Sequence, residues 1–269
     1  MSERLPAHWV GFREVAPEAG ARATRRWWDA NAAEYIAEHG EQLGDVELVW
    51  GPEGLREEEA RLLGDVAGRR VLEVGAGAAQ CSRWLRAQGA EVVATDVALG
   101  MLRAGREIDA RHGTRVPLVA ADARALPFAD DSFDLAFTSF GAIPFVPDAA
   151  RVHREVARVL RPGGRWVCSV THPVRWMFPD DPTADGMTVV RSYFDRRPYV
   201  EADERGEVAY AEYHRTLGDH VRELVAAGFV LTDLVEPEWP EGHEKVWGGW
   251  GPVRGRYVPG TMVLVSRLA

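Results

Sequence analysis

The chain of 269 residues has only two cysteines, Cys81 and Cys168, too far apart in sequence to suggest a disulfide framework or a zinc ligand set. The histidines show no spacing typical of a metal site. No apolar run approaches the roughly 20 residues that span a bilayer, and residues 1–20 lack the apolar core of a secretion signal. These absences predict a cytoplasmic protein that is neither membrane-embedded nor exported.

Positive charge is also scarce. The formal net charge is −9 and the sequence pI is about 5.4, whereas proteins that hold phosphate backbones normally carry a basic patch. We therefore expect no nucleic-acid partner. With 46% hydrophobic residues, no internal repeat and no low-complexity tract, the chain can bury one α/β core, and we expect a single domain with appended or inserted segments.

The first positive feature is a glycine turn after an apolar run. Residues 70–74 are followed by Gly75 and Gly77, and then by an amphipathic segment, 82–88. This order predicts a strand, a tight turn and a helix. Glycine adopts backbone angles closed to other residues and has no Cβ, so a ligand could lie directly on the turn.

Three acidic residues are expected near this turn. Glu73 precedes the glycines, Asp96 ends a second apolar run about 20 positions after them, and Asp122 follows the run 117–121. Because ligands bind at the carboxyl ends of parallel strands, all three should surround one crevice, and Asp96 could accept hydrogen bonds from both hydroxyls of a ribose. The alternatives are a strand-end ion pair for Glu73 and helix caps for the two aspartates.

The turn departs from the dinucleotide fingerprint, because Gln80 stands where the third glycine would be. Close packing of the helix over a pyrophosphate is therefore not favoured. S-adenosylmethionine (SAM) has no phosphate and carries a positive sulfonium and ammonium, so acids near the turn would attract it and would repel a dinucleotide.

From about residue 70 to 172 the chain resembles the class I SAM-dependent methyltransferases. The resemblance is carried by the segments 71–77, 96, 121–128, 132–134 and 158–164. It implies an α/β fold with a Rossmann-like, doubly wound, seven-stranded sheet, and SAM as the cofactor. In that family the glycine turn contacts the methionine part of SAM, the acid matching Asp96 holds the ribose, and the acid matching Asp122 contacts the adenine amino group.

The predicted SAM site combines the glycine turn, the ends of the next strands and the N-terminal helix. Its residues are Glu73, Gly75, Ala76, Gly77, Gln80, Asp96, Val97, Met101, Asp122, Ala123, Ser139, Phe140, Tyr35 and Trp27. Phe140 follows the predicted fourth strand, 133–138, and should face the transferred methyl group. For Trp27, Trp28 and Tyr35 the alternative is simple packing of a helix face, and Tyr35 is the strongest candidate because its ring carries one polar group.

The remaining pattern divides the domain into four parts. Residues 1–65 form an N-terminal cap, with an irregular arm over 1–20 and helices over 21–39 and 53–65, and residues 66–172 form the SAM-binding core. The aromatic-rich segment 173–212 is an insertion that covers the substrate. Residues 213–269 complete the sheet with a helix to 227 and strands over 229–235 and 261–267. The resemblance implies that the last strand is antiparallel to its neighbours.

The connection 236–260 contains Trp239, His243, Trp247, Trp250 and Tyr257. We interpret it as a second wall of the pocket, with a loop folded over exposed core as the alternative. The aromatic content of both insertions favours a planar or apolar small-molecule acceptor. Aromatic residues exposed on them could also mediate a homodimer.

The predicted reaction is direct in-line methyl transfer from SAM, in which the protein mainly aligns the reactants. A hydroxyl acceptor would need a base, for which we expect His172 first and His214 second, with structural roles as the alternative. Two other functions remain open. One is a SAM-binding protein that does not methylate. The other is an NAD-linked oxidoreductase, opposed by Glu73, by the missing glycine and by the lack of a Tyr-x-x-x-Lys pair, since only Lys245 lies near the aromatic residues.

Overall fold

The computed structural model describes residues 5–269. The strands are β1 (Val10–Phe12), β2 (Arg70–Val74), β3 (Glu91–Asp96), β4 (Leu118–Ala120), β5 (Phe133–Ser139), β6 (Leu160–Thr171), β7 (Tyr199–Ala202), β8 (Val208–Glu212), β9 (Phe229–Val235) and β10 (Thr261–Leu268). The helices are α1 (Pro17–Leu43), α2 (Glu57–Ala60), α3 (Gln80–Ala87), α4 (Leu99–His112), α5 (Ala149–Val159), α6 (Leu217–Ala226) and α7 (Pro252–Gly255). Short 3-10 turns span Ile143–Phe145, Pro173–Met177 and Ala184–Met187.

Seven strands form the main sheet in the order β4-β3-β2-β5-β6-β10-β9. The pairs from β4 to β6 are parallel, and β10 is antiparallel to both β6 and β9. This confirms the predicted doubly wound seven-stranded sheet and its antiparallel last strand.

Helices cover both faces of the sheet, and alternate strand residues face opposite layers. Leu72 packs with the face covered by α5 and α6, whereas Val71 packs with α3 on the other face. Val71, Leu72 and Val74 are all apolar because both faces of these parallel strands are buried, and Glu73 is the one charged residue among them. Among residues 5–269, no helix is long and apolar enough to pass through a bilayer.

A second, three-stranded sheet was not predicted. Its order is β1-β7-β8, and it pairs Val10 with Glu201. It draws on residues 1–20, expected to be an irregular arm, and on the insertion 173–212. The sequence pattern could not show this pairing, because β1 is only three residues long and Val10 and Glu201 are 191 positions apart. Residues 1–4 lie outside the described part of the chain.

Two N-terminal helices differ from their predicted bounds. α1 starts at Pro17, a residue suited to a first helical position, and extends to Leu43. The helix expected over 53–65 is reduced to α2. The carboxylate of Glu57 accepts hydrogen bonds from the backbone N–H groups of Leu62 and Leu63, and Arg61 is left-handed, so the chain leaves the helical path there.

Candidate active site

A cavity of about 420 Å³ lies at the carboxyl ends of β2, β3, β4 and β5. This volume is within the range of roughly 300–1,000 Å³ typical of small-ligand pockets. It is bordered by the glycine turn after β2, by Asp96 and Asp122 after the next two strands, and by the turn after β5. Residues of the long helix α1 also line it. The predicted SAM-site residues all line this cavity, with the single exception of Trp27.

Trp27 is directed away from the cavity, and Trp28 lines it instead. The Trp27 ring packs against Trp28 at 5.0 Å and against Tyr210 at 5.2 Å between centroids. Trp28 and Tyr35 are seven residues apart, which places them on one face of a helix. The seven-residue spacing from Tyr35 therefore favours Trp28 over Trp27 as the second ring of α1 that lines the cavity.

The glycine turn is shaped by contact with a second turn. Gly75 and Gly77 have φ angles of 70° and 54°, in the left-handed region that favours glycine. A Cβ on Gly75 would lie 2.5 Å from the backbone nitrogen of Ala142, whereas a Cβ on Gly77 would lie 3.0 Å from the terminal methyl of Met101. At Gly75 the turn after β5 therefore occupies the place that a Cβ would take, while Gly75 itself still lines the cavity.

Asp96 is fixed by two backbone hydrogen bonds. Gly77 N–H donates to Oδ2 and Ala98 N–H donates to Oδ1, both at 2.8 Å. Burial raises the pKa of Asp96, and these hydrogen bonds oppose that effect. Each carboxylate oxygen retains a further acceptor position, since it has two lone pairs. The carboxylate is therefore oriented and available for a pair of hydroxyl donors.

Glu73 lies beneath the glycine turn and is only 2% exposed. Burial raises its pKa to about 7, while a hydrogen bond donated by the Ser82 hydroxyl and the charge of Arg83 act in the opposite direction. A buried carboxyl with this pKa is ready to ionise when a cation approaches, because a nearby positive charge favours the charged form.

Asp122 is held by Arg124. The guanidinium donates from Nε to Oδ1 at 3.1 Å and from Nη2 to Oδ2 at 2.8 Å, and the backbone N–H of Arg124 donates to Oδ1 at 2.8 Å. Burial raises the pKa of Asp122, but these hydrogen bonds outweigh it and the pKa is lowered overall. Asp122 is therefore ionised at neutral pH. The role of Arg124 was not anticipated from the sequence.

The turn after β5 contains two strained residues. Phe140 and Ala142 have φ angles of 54° and 30°, which are unusual for residues with a Cβ. The turn is anchored where the hydroxyl of Ser139 donates to the carbonyl of Val49 at 2.6 Å. Backbone strain of this kind concentrates at functional sites, where the surroundings fix it.

Five aromatic residues line the cavity, and the rings of four of them form one connected group. Trp28 lies 5.0 Å from Tyr35 and 5.4 Å from Phe145, and Tyr35 lies 6.2 Å from Trp247, between centroids. Trp247 in turn stacks on His39 at 4.0 Å. We call Trp28, Tyr35, Phe145 and Trp247 the aromatic wall.

Trp247 brings the connection 236–260 to the cavity, as expected, but the insertion 173–212 contributes no lining residue among those described. The cavity is lined on this side by α1 and by the segment 44–52 that follows its end. This segment is bonded to the main sheet, because the hydroxyl of Ser169 in β6 donates a hydrogen bond to the carbonyl of Trp50. Its sequence shows no regular period, so pattern analysis could not assign it to the site.

The two histidines proposed as bases lie outside the cavity lining within residues 5–269. His172 Nδ1 accepts from the backbone N–H of Val174, and its Nε2 lies 2.8 Å from a carboxylate oxygen of Glu236. His214 Nε2 lies 2.7 Å from the carbonyl oxygen of Tyr193. Both rings therefore have contacts that stabilise the loops around them. In the described part of the chain, no group of three or more His, Cys, Asp or Glu side chains could hold a metal ion.

Known proteins share these features. Residues 72–168 match a family model described as a methyltransferase domain. The chain is 35% identical to the demethylmenaquinone methyltransferase of Mycobacterium marinum over 202 residues, which cover 73% of each protein. It is 38% identical to that of Corynebacterium kroppenstedtii over 158 residues, 58% of this chain and 64% of the relative. A solved SAM-dependent methyltransferase from Mesorhizobium loti is 28% identical, with a TM-score of 0.63, over 81% of this chain and 100% of that one.

The parallel sheet and the cavity at its strand ends define the class of α/β proteins that bind a nucleoside at a topological switch point. Within that class, the chain belongs to the class I SAM-dependent methyltransferase family. Its cofactor is SAM, as the sequence resemblance implied. In its matches to the first curated relatives the chain spans about half to two thirds of their length, from 51% to 64%.

Proposed function

We propose that this protein transfers a methyl group from SAM to a small planar acceptor with an apolar face. One observation carries the proposal: a single cavity is lined both by the acids with the glycine turn and by the aromatic wall. The acids and the glycine turn suit a cationic nucleoside. The aromatic wall suits a ring that stacks, because aromatic side chains prefer offset or edge-to-face contacts with other rings.

The acidic part fits SAM by its chemistry. Asp96 would accept hydrogen bonds from the ribose hydroxyls, Asp122 would accept one from the adenine amino group, and Glu73 would oppose the positive charge. When bound, SAM supplies a methyl group already activated on its sulfonium. The chain supplies position: fixed carboxylates, a rigid pair of turns and an enclosed cavity can together raise effective molarity to about 10⁵–10⁸ M.

The acceptor would lie against the aromatic wall. Trp28 and Tyr35 belong to α1, Phe145 to the 3-10 turn after β5, and Trp247 to the connection before β10. Rings from three separate elements would fix the plane of the acceptor and exclude water from the transfer. The curated relatives named demethylmenaquinone methyltransferase support a reduced quinone ring as the first acceptor to test.

The cofactor should be tested before the acceptor. Calorimetric titration with SAM and, separately, with NADH should show saturable binding of SAM alone. Release of S-adenosylhomocysteine should then be measured with reduced naphthoquinones lacking the ring methyl, and with aliphatic amines and alcohols as non-planar competitors. SAM binding without product from any acceptor would favour a SAM-binding protein that does not methylate. NADH binding without SAM binding would reopen the oxidoreductase alternative.

The aromatic wall can be tested by one matched pair of variants. Trp247→Ala should raise the KM for a planar acceptor about tenfold, since it removes a large ring from the pocket, and should leave SAM affinity nearly unchanged. Tyr257→Ala is the control, because this ring lies in the same connection and is 70% exposed. Equal effects of the two substitutions would argue against an acceptor at the wall.

A further inference from the structure

The cavity meets solvent at one identifiable end. Most residues that line it are buried or partly buried, but Glu18, Arg22, Arg25 and Ala120 are exposed. Three of these lie in the first turns of α1, and Ala120 ends β4, next to Asp122. A residue that both lines a cavity and is exposed marks a mouth. The mouth is therefore at the end of the cavity that contains Asp122.

An ion pair crosses this mouth. Arg124 Nη1 lies 2.8 Å from Glu18 Oε1, so one guanidinium joins α1 to the loop after β4, while its other nitrogens hold Asp122. The Arg124 side chain is 13% exposed and that of Glu18 is 65% exposed. The pair thus separates the cavity from solvent. We call Glu18 and Arg124 the gate pair.

The backbone beside the gate pair is firmly held. The Thr24 hydroxyl donates to the carbonyl of Ala211 at 2.9 Å and accepts from its N–H at 3.0 Å. Gly20 packs against the hydroxyl of Tyr213 so closely that no Cβ would fit. Farther along α1, Asp29 accepts from the N–H of Gly100 at 2.9 Å. Because α1 is tied at these points, side-chain rotation opens the mouth at less cost than movement of the helix.

We propose that the gate pair controls the passage of the cofactor, which enters and leaves beside the start of α1 when the Glu18–Arg124 ion pair opens. The proposal rests on the proposed function, because it takes SAM and S-adenosylhomocysteine as the ligands that pass. Arg124 has a second task, to hold Asp122, so Glu18 is the partner that can release without disturbing the cofactor contact. Because the Glu18 carboxylate is largely solvated, the ion pair is weak enough to open often.

The kinetics of S-adenosylhomocysteine binding, followed by stopped-flow tryptophan fluorescence, test this role. Glu18→Gln keeps the shape of the side chain and removes the ion pair. It should raise the association and dissociation rate constants together by about two- to fivefold, the range that an exposed ion pair provides, and leave Kd within about twofold. Glu34→Gln is the matched control, since Glu34 is an exposed acid of α1 that does not line the cavity.

Salt provides a second readout. Raising ionic strength from about 0.01 M to about 1 M shortens the Debye length from roughly 30 Å to roughly 3 Å, so the wild-type rates should approach those of Glu18→Gln. If only the dissociation rate constant changes, and Kd changes by the same factor, Glu18 contacts the ligand directly and does not control its passage. Unchanged rates would also overturn the proposal. Failure of wild-type protein to bind the ligand would instead contradict the proposed function.

Discussion

Gly141 lies directly against Gly75, so that a Cβ on Gly141 would overlap the carbonyl oxygen of Gly75. The turn after β5 and the glycine turn after β2 therefore form one rigid unit at the bottom of the cavity. Parallel pairing of β2 with β5 brings these two turns together, although they are more than 60 residues apart in sequence. We expect the position of the cofactor to depend on both turns.

Gly141→Ala should separate the two turns, because the added methyl group would overlap the backbone carbonyl oxygen of Gly75, which cannot rotate away. We expect SAM affinity to fall at least tenfold and the free energy of unfolding to fall by about 1–3 kcal/mol, the usual effect of overpacking. Calorimetry and urea denaturation measure the two effects. Gly218→Ala is the control, since a Cβ there meets only the flexible end of Arg222. Equal SAM binding by both variants would show that contact between the turns is not needed.

Asp96→Ala should weaken SAM binding by about 10- to 150-fold, because hydrogen bonds to a charged group contribute about 1.5–3 kcal/mol. Asp96→Asn should retain part of the affinity, since the amide oxygen can still accept one hydrogen bond. Isothermal titration of the two variants gives both values. Asp185→Ala replaces an exposed aspartate that does not line the cavity and should leave binding unchanged. Wild-type affinity in Asp96→Ala would remove the ribose role from this residue.

The parts of the site that depend on local order could be predicted from the sequence. The glycine turn and the acids that end successive strands are placed by the order of strands in a parallel sheet, so Glu73, Asp96 and Asp122 could be predicted together. The spacing of the aromatic residues predicts the helix α1, but the prediction assigns Trp27 to the site, whereas Trp28 lines the cavity in the structure. One position along a helix rotates a side chain by about 100°, enough to move it to another face.

The remaining features depend on contacts between distant segments. Nothing in the sequence distinguishes Arg124 from the other arginines, and only the fold brings Glu18 within 2.8 Å of it. The small sheet pairs β1 with β7 in the same non-local way. Such contacts follow from how α1 lies over the strand ends. No period or motif in a single sequence encodes that placement.

The raised pKa of Glu73 predicts a pH-dependent preference between SAM and S-adenosylhomocysteine. Glu73 is neutral below its pKa of about 7 and charged above it, and only SAM carries the sulfonium charge. The ratio of SAM affinity to S-adenosylhomocysteine affinity should therefore rise about tenfold between pH 5 and pH 8. Taking the ratio removes any effect of pH that is the same for the binding of both ligands. Glu73→Gln should show a ratio independent of pH, and a wild-type ratio that is flat across this range would contradict a charge role for Glu73.

Two buried histidines predict loss of stability in acid. Burial lowers the pKa of His153 to about 3 and that of His220 well below its usual value, so both are neutral in the folded protein. The unfolded chain binds more protons as pH falls below about 6.5, and each histidine then destabilises the fold by roughly 2 kcal/mol at pH 5. Glu73 acts in the opposite direction, because its pKa is higher in the folded protein than in the unfolded chain. As pH falls from about 7 to about 4.5, the folded protein binds this proton first, and Glu73 then makes the fold more stable.

A comparison between variants isolates the histidine effect, since Glu73 contributes equally to each. His220→Gln, measured by urea denaturation at pH 7 and pH 5, should lose less stability over this interval than the wild type, by roughly 2 kcal/mol. The double variant with His153→Gln should double the difference. His8→Gln is the control, because His8 is exposed and its replacement should leave the pH dependence unchanged. If the stability of His220→Gln changes with pH as that of the wild type does, His220 is protonated in the folded protein at pH 5. Its Nδ1, which has no hydrogen-bond partner in the structure, must then be hydrogen-bonded in solution.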